Sequence, residues 1–216
     1  MSFNSRSGLL LLAGLAAPTA ATAAPGESAW FVHAGVARIA MEDAVTASVL
    51  GSPLPGAGVV IAPRYAAAVE IGRYVAPTIA FSVSAGSPVR QSIGADGSLR
   101  PYGRLGKVTY GPAAFTLHWH PLPRSRIRPY VGGGVAYLHV FDAKAGALAN
   151  FRLHGDLGPV AQGGVELMAG RRFGVFADAK KGWLTSSAGG SLGGVPVDAR
   201  LRLDPVILSA GAAFRF

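Results

Sequence analysis

Apolar residues occupy every second position from Leu208 through Ala210, Ala212 and Phe214 to Phe216 at the end of the chain. Alternate side chains of an extended strand share a face, so this segment has one wholly apolar side and finishes on an aromatic ring. The same two-residue period recurs upstream. It predicts eight strands near Ala29–Ala40, Val59–Ile71, Val75–Val89, Lys107–His120, Arg128–Phe141, Leu157–Ala169, Phe173–Ser186 and Ala199–Phe216. Short connections are expected at Gly72-Arg73-Tyr74, Pro121–Ser125 and Gly170-Arg171-Arg172. Long ones rich in Gly and Pro are expected at Met41–Gly58, Arg90–Gly106, Asp142–Asp156 and Ala188–Asp198. An even number of strands with short turns at one rim and long loops at the other is the layout of an outer-membrane barrel, with both termini on the periplasmic side.

The two faces of each strand differ in chemistry. On the fourth, Phe115, Leu117 and Trp119 alternate with Thr116, His118 and His120. On the third, Ile79, Phe81 and Val83 alternate with Ser82 and Ser84. Gln162, Glu166 and Met168 oppose Val165 and Leu167 on the sixth, and Asp178 and Lys180 oppose Val175, Ala177 and Ala179 on the seventh. A membrane barrel turns the apolar set outward, since a charge facing lipid at mid-bilayer is costly. A soluble lipocalin-like barrel would reverse the faces. Alternation alone does not choose between them, but the terminal Phe216, the alternating loop lengths and a mean hydropathy of +0.36 favour apolar outside. The fold class expected is therefore all-β, an eight-stranded antiparallel transmembrane β-barrel.

The start of the chain agrees with export. Arg6 precedes the apolar run Leu9–Ala17, and small residues follow through Ala24, the three regions of a secretory signal peptide. Cutting is expected after Ala23, because Pro25 directly after a cut at Ala24 is unfavourable. This divides the chain into a signal peptide, 1–23, and a barrel domain, 24–216. The apolar run is too short for a stable spanning helix. With no Cys among 216 residues, disulfides, thiolate chemistry and a lipidated cysteine are excluded. The formal charge of +9 is spread over many segments rather than along one stripe. An exported chain meets no nucleic acid, and these cations suit phosphates of lipopolysaccharide or anionic lipid headgroups.

Several motifs carry a family resemblance. Arg128-Pro129-Tyr130-Val131-Gly132-Gly133-Gly134-Val135-Ala136-Tyr137 resembles the R-P-Y-V-G-x-G-x-x-Y strand of the outer membrane protein W family. Leu203-Asp204-Pro205-Val206 with Gly211–Phe216 resembles that family's L-D-P-W-V and G-x-x-Y-R-F ending. Ala80–Val89 and Pro159–Glu166 are similar to its third and sixth strands. The resemblance implies an eight-stranded outer-membrane barrel with a narrow, largely apolar interior for small hydrophobic compounds. The chain departs from the pattern at Ser82, at Tyr110-Gly111-Pro112 and at Leu157, where the family carries Glu, Leu-Pro-Pro and an aromatic that helps to block the lumen.

Candidate lumen-lining residues are Glu70, Ser82, His118, Gly132, Gly134, Ala136, Glu166, Asp178, Lys180 and Arg215. The charged members, with Arg64, read either as an ionic plug or as the walls of a narrow path, and the plug is preferred, with an apolar route nearer the loops. Gly132, Gly134 and Ala136 leave room for a ligand or for a neighbouring side chain. His118-x-His120 could chelate a metal from one strand face, but with no carboxylate nearby in sequence both read as interfacial polar residues, and no metal or other cofactor is expected. A lipid-modifying enzyme built from His118, Ser82, Ser84 and Glu166 lacks a nucleophile motif, so no catalytic residue is expected. The function expected is a narrow channel or binding barrel for small hydrophobic molecules. The alternative is a closed interaction barrel whose long basic loops bind lipopolysaccharide or a partner. Partners expected are outer-membrane lipid, lipopolysaccharide, small hydrophobic solutes and, through the Phe216 strand, the barrel-assembly machinery.

Overall fold

The computed structural model describes residues 29–41, 44–50 and 52–216, so the signal-peptide expectation lies outside the described residues. In chain order its strands begin with β1 (Trp30–Ala40), β2 (Ala44–Val49), β3 (Ser52–Pro53), β4 (Ala57–Val60) and β5 (Arg64–Ala76). Next come β6 (Ile79–Gly86), β7 (Val89–Gly97), β8 (Arg104–Trp119), β9 (Ile127–Ala145) and β10 (Ala149–Leu153). The chain finishes with β11 (Leu157–Met168), β12 (Phe173–Gly182), β13 (Thr185–Leu192), β14 (Val195–Arg202) and β15 (Val206–Arg215). Strands β1, β5, β6, β8, β9, β11, β12 and β15 each pair antiparallel with the next, and β15 returns to β1. This is the closed eight-stranded barrel that the alternation predicts.

Closure falls on the terminal strand. Val32 lies opposite Phe214 and Ala34 opposite Ala212, and Trp30 and Phe216 exchange two backbone hydrogen bonds of 3.0 Å. The faces sort as a membrane demands. Phe81, Phe115, Leu117, Phe173 and Val175 are exposed on the outside, whereas Ser82, Thr116, His118, Gln162 and Glu166 are buried inside. Outward aromatics gather near the two rims, with Trp30, Trp119, Phe173 and Phe216 at one and Tyr65, Tyr137 and Phe141 at the other.

One expected turn is misplaced. Gly72-Arg73-Tyr74 remains in the β5 ladder, opposite Ser82, Phe81 and Ala80, and the chain reverses instead at Pro77-Thr78. Proline presets the turn conformation, and Gly72 is needed where it stands because a Cβ there would strike the Phe31 ring. The strand expected from Val59 correspondingly begins at Arg64. The long connections are also more ordered than their composition suggests. Strands β2, β3, β10, β13 and β14 form a second five-stranded sheet, and β4 pairs with β7, which continues β6 beyond a break at Ser87-Pro88. The β13–β14 hairpin turns on Gly193 and Gly194, with φ of 58° and 86°, as a two-residue turn of this kind requires. Apolar positions in these extensions meet in one cluster with the upper barrel, among them Val59, Leu99, Leu105, Phe151 and Leu201. Burial among strands that extend the wall is what orders them.

Two outcomes follow from this topology. Cysteines introduced at Gly94, Gly146 or Gly190 label from outside intact cells with a membrane-impermeant thiol reagent, whereas Ser125→Cys labels only after permeabilisation. Replacing Phe214 and Phe216 together by Ser removes the outward ring pair stacked at 5.5 Å on the closing strand. Each ring contributes about 1.5–3 kcal/mol of burial, and an unpaired edge costs more, so the double variant loses its heat-modifiable gel mobility.

Candidate functional site

Alternation brings the inward side chains of the eight strands into one narrow lumen, and along β8 they change character in layers. His120, His118 and Thr116 lie lowest, Ala114, Pro112 and Tyr110 follow, and Val108 and Leu105 join the apolar cluster at the extracellular end.

The lowest layer is a continuous polar network. Glu70 on β5 accepts from Ser82 Oγ at 2.7 Å and from Gln162 Nε2 at 3.2 Å, and its other oxygen lies 3.4 Å from Lys180 Nζ. Lys180 also donates to Asp178 at 2.8 Å, and Asp178 accepts from Tyr130 at 2.9 Å and Gln162 at 2.8 Å. Arg215 on β15 grips Glu166 through Nε and Nη2 at 3.0 and 2.6 Å and reaches the Tyr74 hydroxyl at 2.8 Å. Between the two glutamates stands His33, its Nε2 2.9 Å from Glu166 and its Nδ1 3.4 Å from Glu70. An ionised carboxylate only accepts, so the ring can donate to both glutamates at once only with a proton on each nitrogen, an arrangement that would set three cations against three carboxylates. His118 Nε2 lies 2.8 Å from Thr116 Oγ1 and 3.0 Å from Gln162 Oε1. Phe176 stacks on His33 and Tyr130 on His118, and Phe31 meets the His33 ring at a tilt. Such a layer is of the size that fills the interior of an eight-stranded barrel with side chains.

His118 and His120 are interior residues rather than interfacial ones, because strand parity turns both inward; each is wholly buried. His118 is 3.4 Å from Glu70, a carboxylate distant in sequence. His120 packs against Tyr74 and Tyr130 at 5.0 and 5.1 Å, and neither of its ring nitrogens has a hydrogen-bond partner among the described residues. No group of three or more His, Asp or Glu among the described residues could hold a metal ion.

Above the polar layer lies an apolar cavity of about 60 Å³. Ala66, Ala68, Ala114, Ala136, Tyr110 and Ile207 contribute to its walls, and Lys180 to its floor. Small side chains from several strands converge at one height, and that is what leaves space there. Of the sequence-derived candidates, Glu70, Ser82, His118, Glu166, Asp178, Lys180 and Arg215 belong to the polar layer. Ala136 borders the cavity. The space beside Gly132 is taken by His118, and at Gly134 the Phe115 carbonyl stands where a side chain would be. Arg64 lies higher, at the rim, donating to Gln91 at 3.3 Å. His33, Thr116, Tyr130 and Gln162 complete the network but are absent from the candidates. Their inward parity on strands β1, β8, β9 and β11 is the signal in the sequence that points to them.

The wall beside the cavity is interrupted. Pairing of β6 with β8 ends at Ala85–Ala113, and pairing of β7 with β8 begins at Val89–Tyr110. Between them Pro112 has no N–H to donate, and Ser87 turns its N–H away to the Ala67 carbonyl at 2.8 Å. Ala85, Gly86, Pro112 and Ala113 all border the cavity at this place. A similar break near Pro205 is bridged, since Gly182 donates to the Pro205 carbonyl at 2.9 Å and Leu184 to Asp204 Oδ1 at 3.1 Å.

A lipid-facing barrel with a charge-filled floor and an apolar chamber defines a small outer-membrane barrel protein rather than a water-filled porin. The model of the OmpW family matches residues 27–216, and the chain belongs to that family. It is 33% identical over 166 residues to the outer membrane protein AlkL of Ectopseudomonas oleovorans, covering 77% of this chain and 72% of the relative. It is 27% identical to the dibenzothiophene metabolism operon protein PahQ of Pseudomonas aeruginosa, covering 94% and 93%. Among solved structures, AlkL in lipid bilayers superposes with a TM-score of 0.72 at 30% identity, covering 93% of this chain and 95% of that one. OprG from Pseudomonas aeruginosa superposes at 0.82 with 18% identity, covering 88% and 98%, a likeness of fold. The protein resides in the bacterial outer membrane.

The polar layer should respond sharply to a single cut. Replacing Arg215 by Ala strands the buried Glu166 carboxylate, a loss of about 3–5 kcal/mol. The variant's unfolding midpoint in urea falls by the corresponding amount, whereas Arg100→Ala in the loops leaves it unchanged.

Proposed function

We propose that the barrel carries small apolar solutes from the extracellular mouth into the apolar cavity and on, sideways, into the bilayer. The observation that carries this reading is an apolar chamber standing directly on a layer filled with paired charged side chains. Ions and hydrated sugars find no polar path downward, whereas a solute that has shed its water gains contact with alanine, tyrosine and isoleucine side chains. A space of about 60 Å³ holds roughly two waters, so entry of a solute requires the chamber to widen. The interrupted wall at Pro112 offers the exit, and the bridged break at Pro205 does not. A relative named for a dibenzothiophene metabolism operon supports a role beside apolar compounds.

No catalytic step belongs to this reading. Ser82, the hydroxyl nearest His118 after Thr116, is fully buried within the floor. The exposed terminal ring of Phe216 fits the further inference that the closing strand is what the barrel-assembly machinery reads.

The test uses the residue that borders the chamber without joining the polar network. Ala136→Trp fills the cavity, so uptake of a small apolar compound by cells or proteoliposomes falls several-fold while heat-modifiable mobility and a low ionic conductance persist. Normal folding with unchanged apolar uptake, together with passage of hydrophilic solutes, overturns the reading.

A further inference from the structure

The outer wall carries a feature that solute passage does not use. Lys107 on β8 lies directly opposite Lys144 on β9, and Arg90 on β7 lies opposite Thr109, one diagonal step away. Parity points all three outward, as Val108, Tyr110, Val89 and Gln91 are buried inside, and all three are exposed. Facing residues on adjacent strands stand about 5 Å apart, and like charges placed so are destabilising. The single counter-charge on this patch among the described residues is Asp142, 3.7 Å from Lys144 and itself half exposed. Arg90 and Lys107 have no ion pair among the described residues. The patch is therefore an electrostatically unfavourable arrangement that an external anion would relieve.

Its height identifies the anion's surroundings. Trp119 at the periplasmic rim and Lys107 share the outer face of β8, twelve residues apart. At about 3.4 Å per residue and a tilt near 40°, they differ in height by about 30 Å, against an apolar band about 25 Å tall. Lys107, Lys144 and Arg90 thus lie just above the extracellular edge of the band. Immediately below them on β9 come Phe141, His139 and Tyr137, with Phe141 against Gly111 and 4.5 Å from the His139 ring. An occupant would meet cations above and aromatic, lipid-facing surface beneath. That pairing suits an amphiphile bearing a phosphate over acyl chains rather than a free anion.

We propose that Arg90, Lys107 and Lys144 form a docking site for the phosphate of a phosphorylated glycolipid of the outer leaflet, held against the barrel wall. The site is on the wall and not in the long loops, and it stands whatever solute the lumen carries. Two ammonium groups and a guanidinium around one phosphate make charge-assisted hydrogen bonds, the stronger class.

Binding of lipid A to the full protein in detergent micelles tests this, read by native mass spectrometry. Arg90→Gln/Lys107→Gln/Lys144→Gln is expected to weaken binding about tenfold or more, whereas Arg100→Gln/Arg152→Gln/Arg200→Gln in the extracellular extensions leaves it unchanged. On the unaltered protein, enzymatically dephosphorylated lipid A binds about tenfold or more weakly than intact lipid A, a comparison that needs no variant to fold; equal binding of the two overturns the site. Undiminished binding by the folded wall variant, or an equal loss in the loop variant, overturns the site. Phosphatidylglycerol binding as tightly as lipid A, or inorganic phosphate displacing lipid A at equal concentration, overturns the glycolipid as its occupant.

Discussion

In hydrocarbon a backbone N–H or C=O without a partner costs several kcal/mol, and a sheet in a membrane must therefore close on itself. Every other property of this protein depends on that constraint. Closure by eight strands fixes a lumen only wide enough for side chains, and parity then delivers a defined set of them inward. The last ladder, between Trp30–Ala40 and Val206–Arg215, makes the enclosure complete.

Once the lumen is enclosed, its contents have to satisfy one another. Glu70, Glu166 and Asp178 come from three strands, and Lys180, Arg215 and His33 answer them, with Gln162 bonded to two of the carboxylates. A buried charge persists only when paired and hydrogen-bonded, so the layer is close to all-or-none. It occupies the periplasmic half of the lumen, and small residues such as Ala66, Ala114 and Ala136 border the cavity above it. The interruption at Ser87-Pro88 and Pro112 is tolerated because Ser87 satisfies its own N–H through β5 and Pro112 has none. The wall is thus weakened beside the chamber while the Ser87 N–H keeps a partner in the Ala67 carbonyl.

Export, strand number, the orientation of the faces and the family resemblance are all properties of local pattern, and each was legible along the chain. Phe115 and Leu117 turn outward and Thr116 and His118 inward whatever their partners are. Turn position was less legible. Gly72 resembles a reversal in isolation, yet a neighbouring strand's Phe31 ring is what requires glycine there. The long connections looked like loops because their Gly and Pro content is high. Their strands exist through burial against one another, a contact that composition does not encode.

The sequence by itself determined that this protein is a transmembrane barrel, because a period of two, alternating short and long connections and a high mean hydropathy need no knowledge of which strand lies beside which. It also determined which side chains enter the lumen. Only the tertiary structure decided what they do there. Register between strands sets the height of each residue, and height separates Glu70 and His118 in the floor from Ala136 at the chamber and Lys107 at the outer rim. The carboxylate that His118 lacks in its own strand is supplied by β5 across the lumen, and Lys107 meets Lys144 only because β8 and β9 pair in that register. Parity is local, whereas register is a property of pairs of strands far apart in the chain.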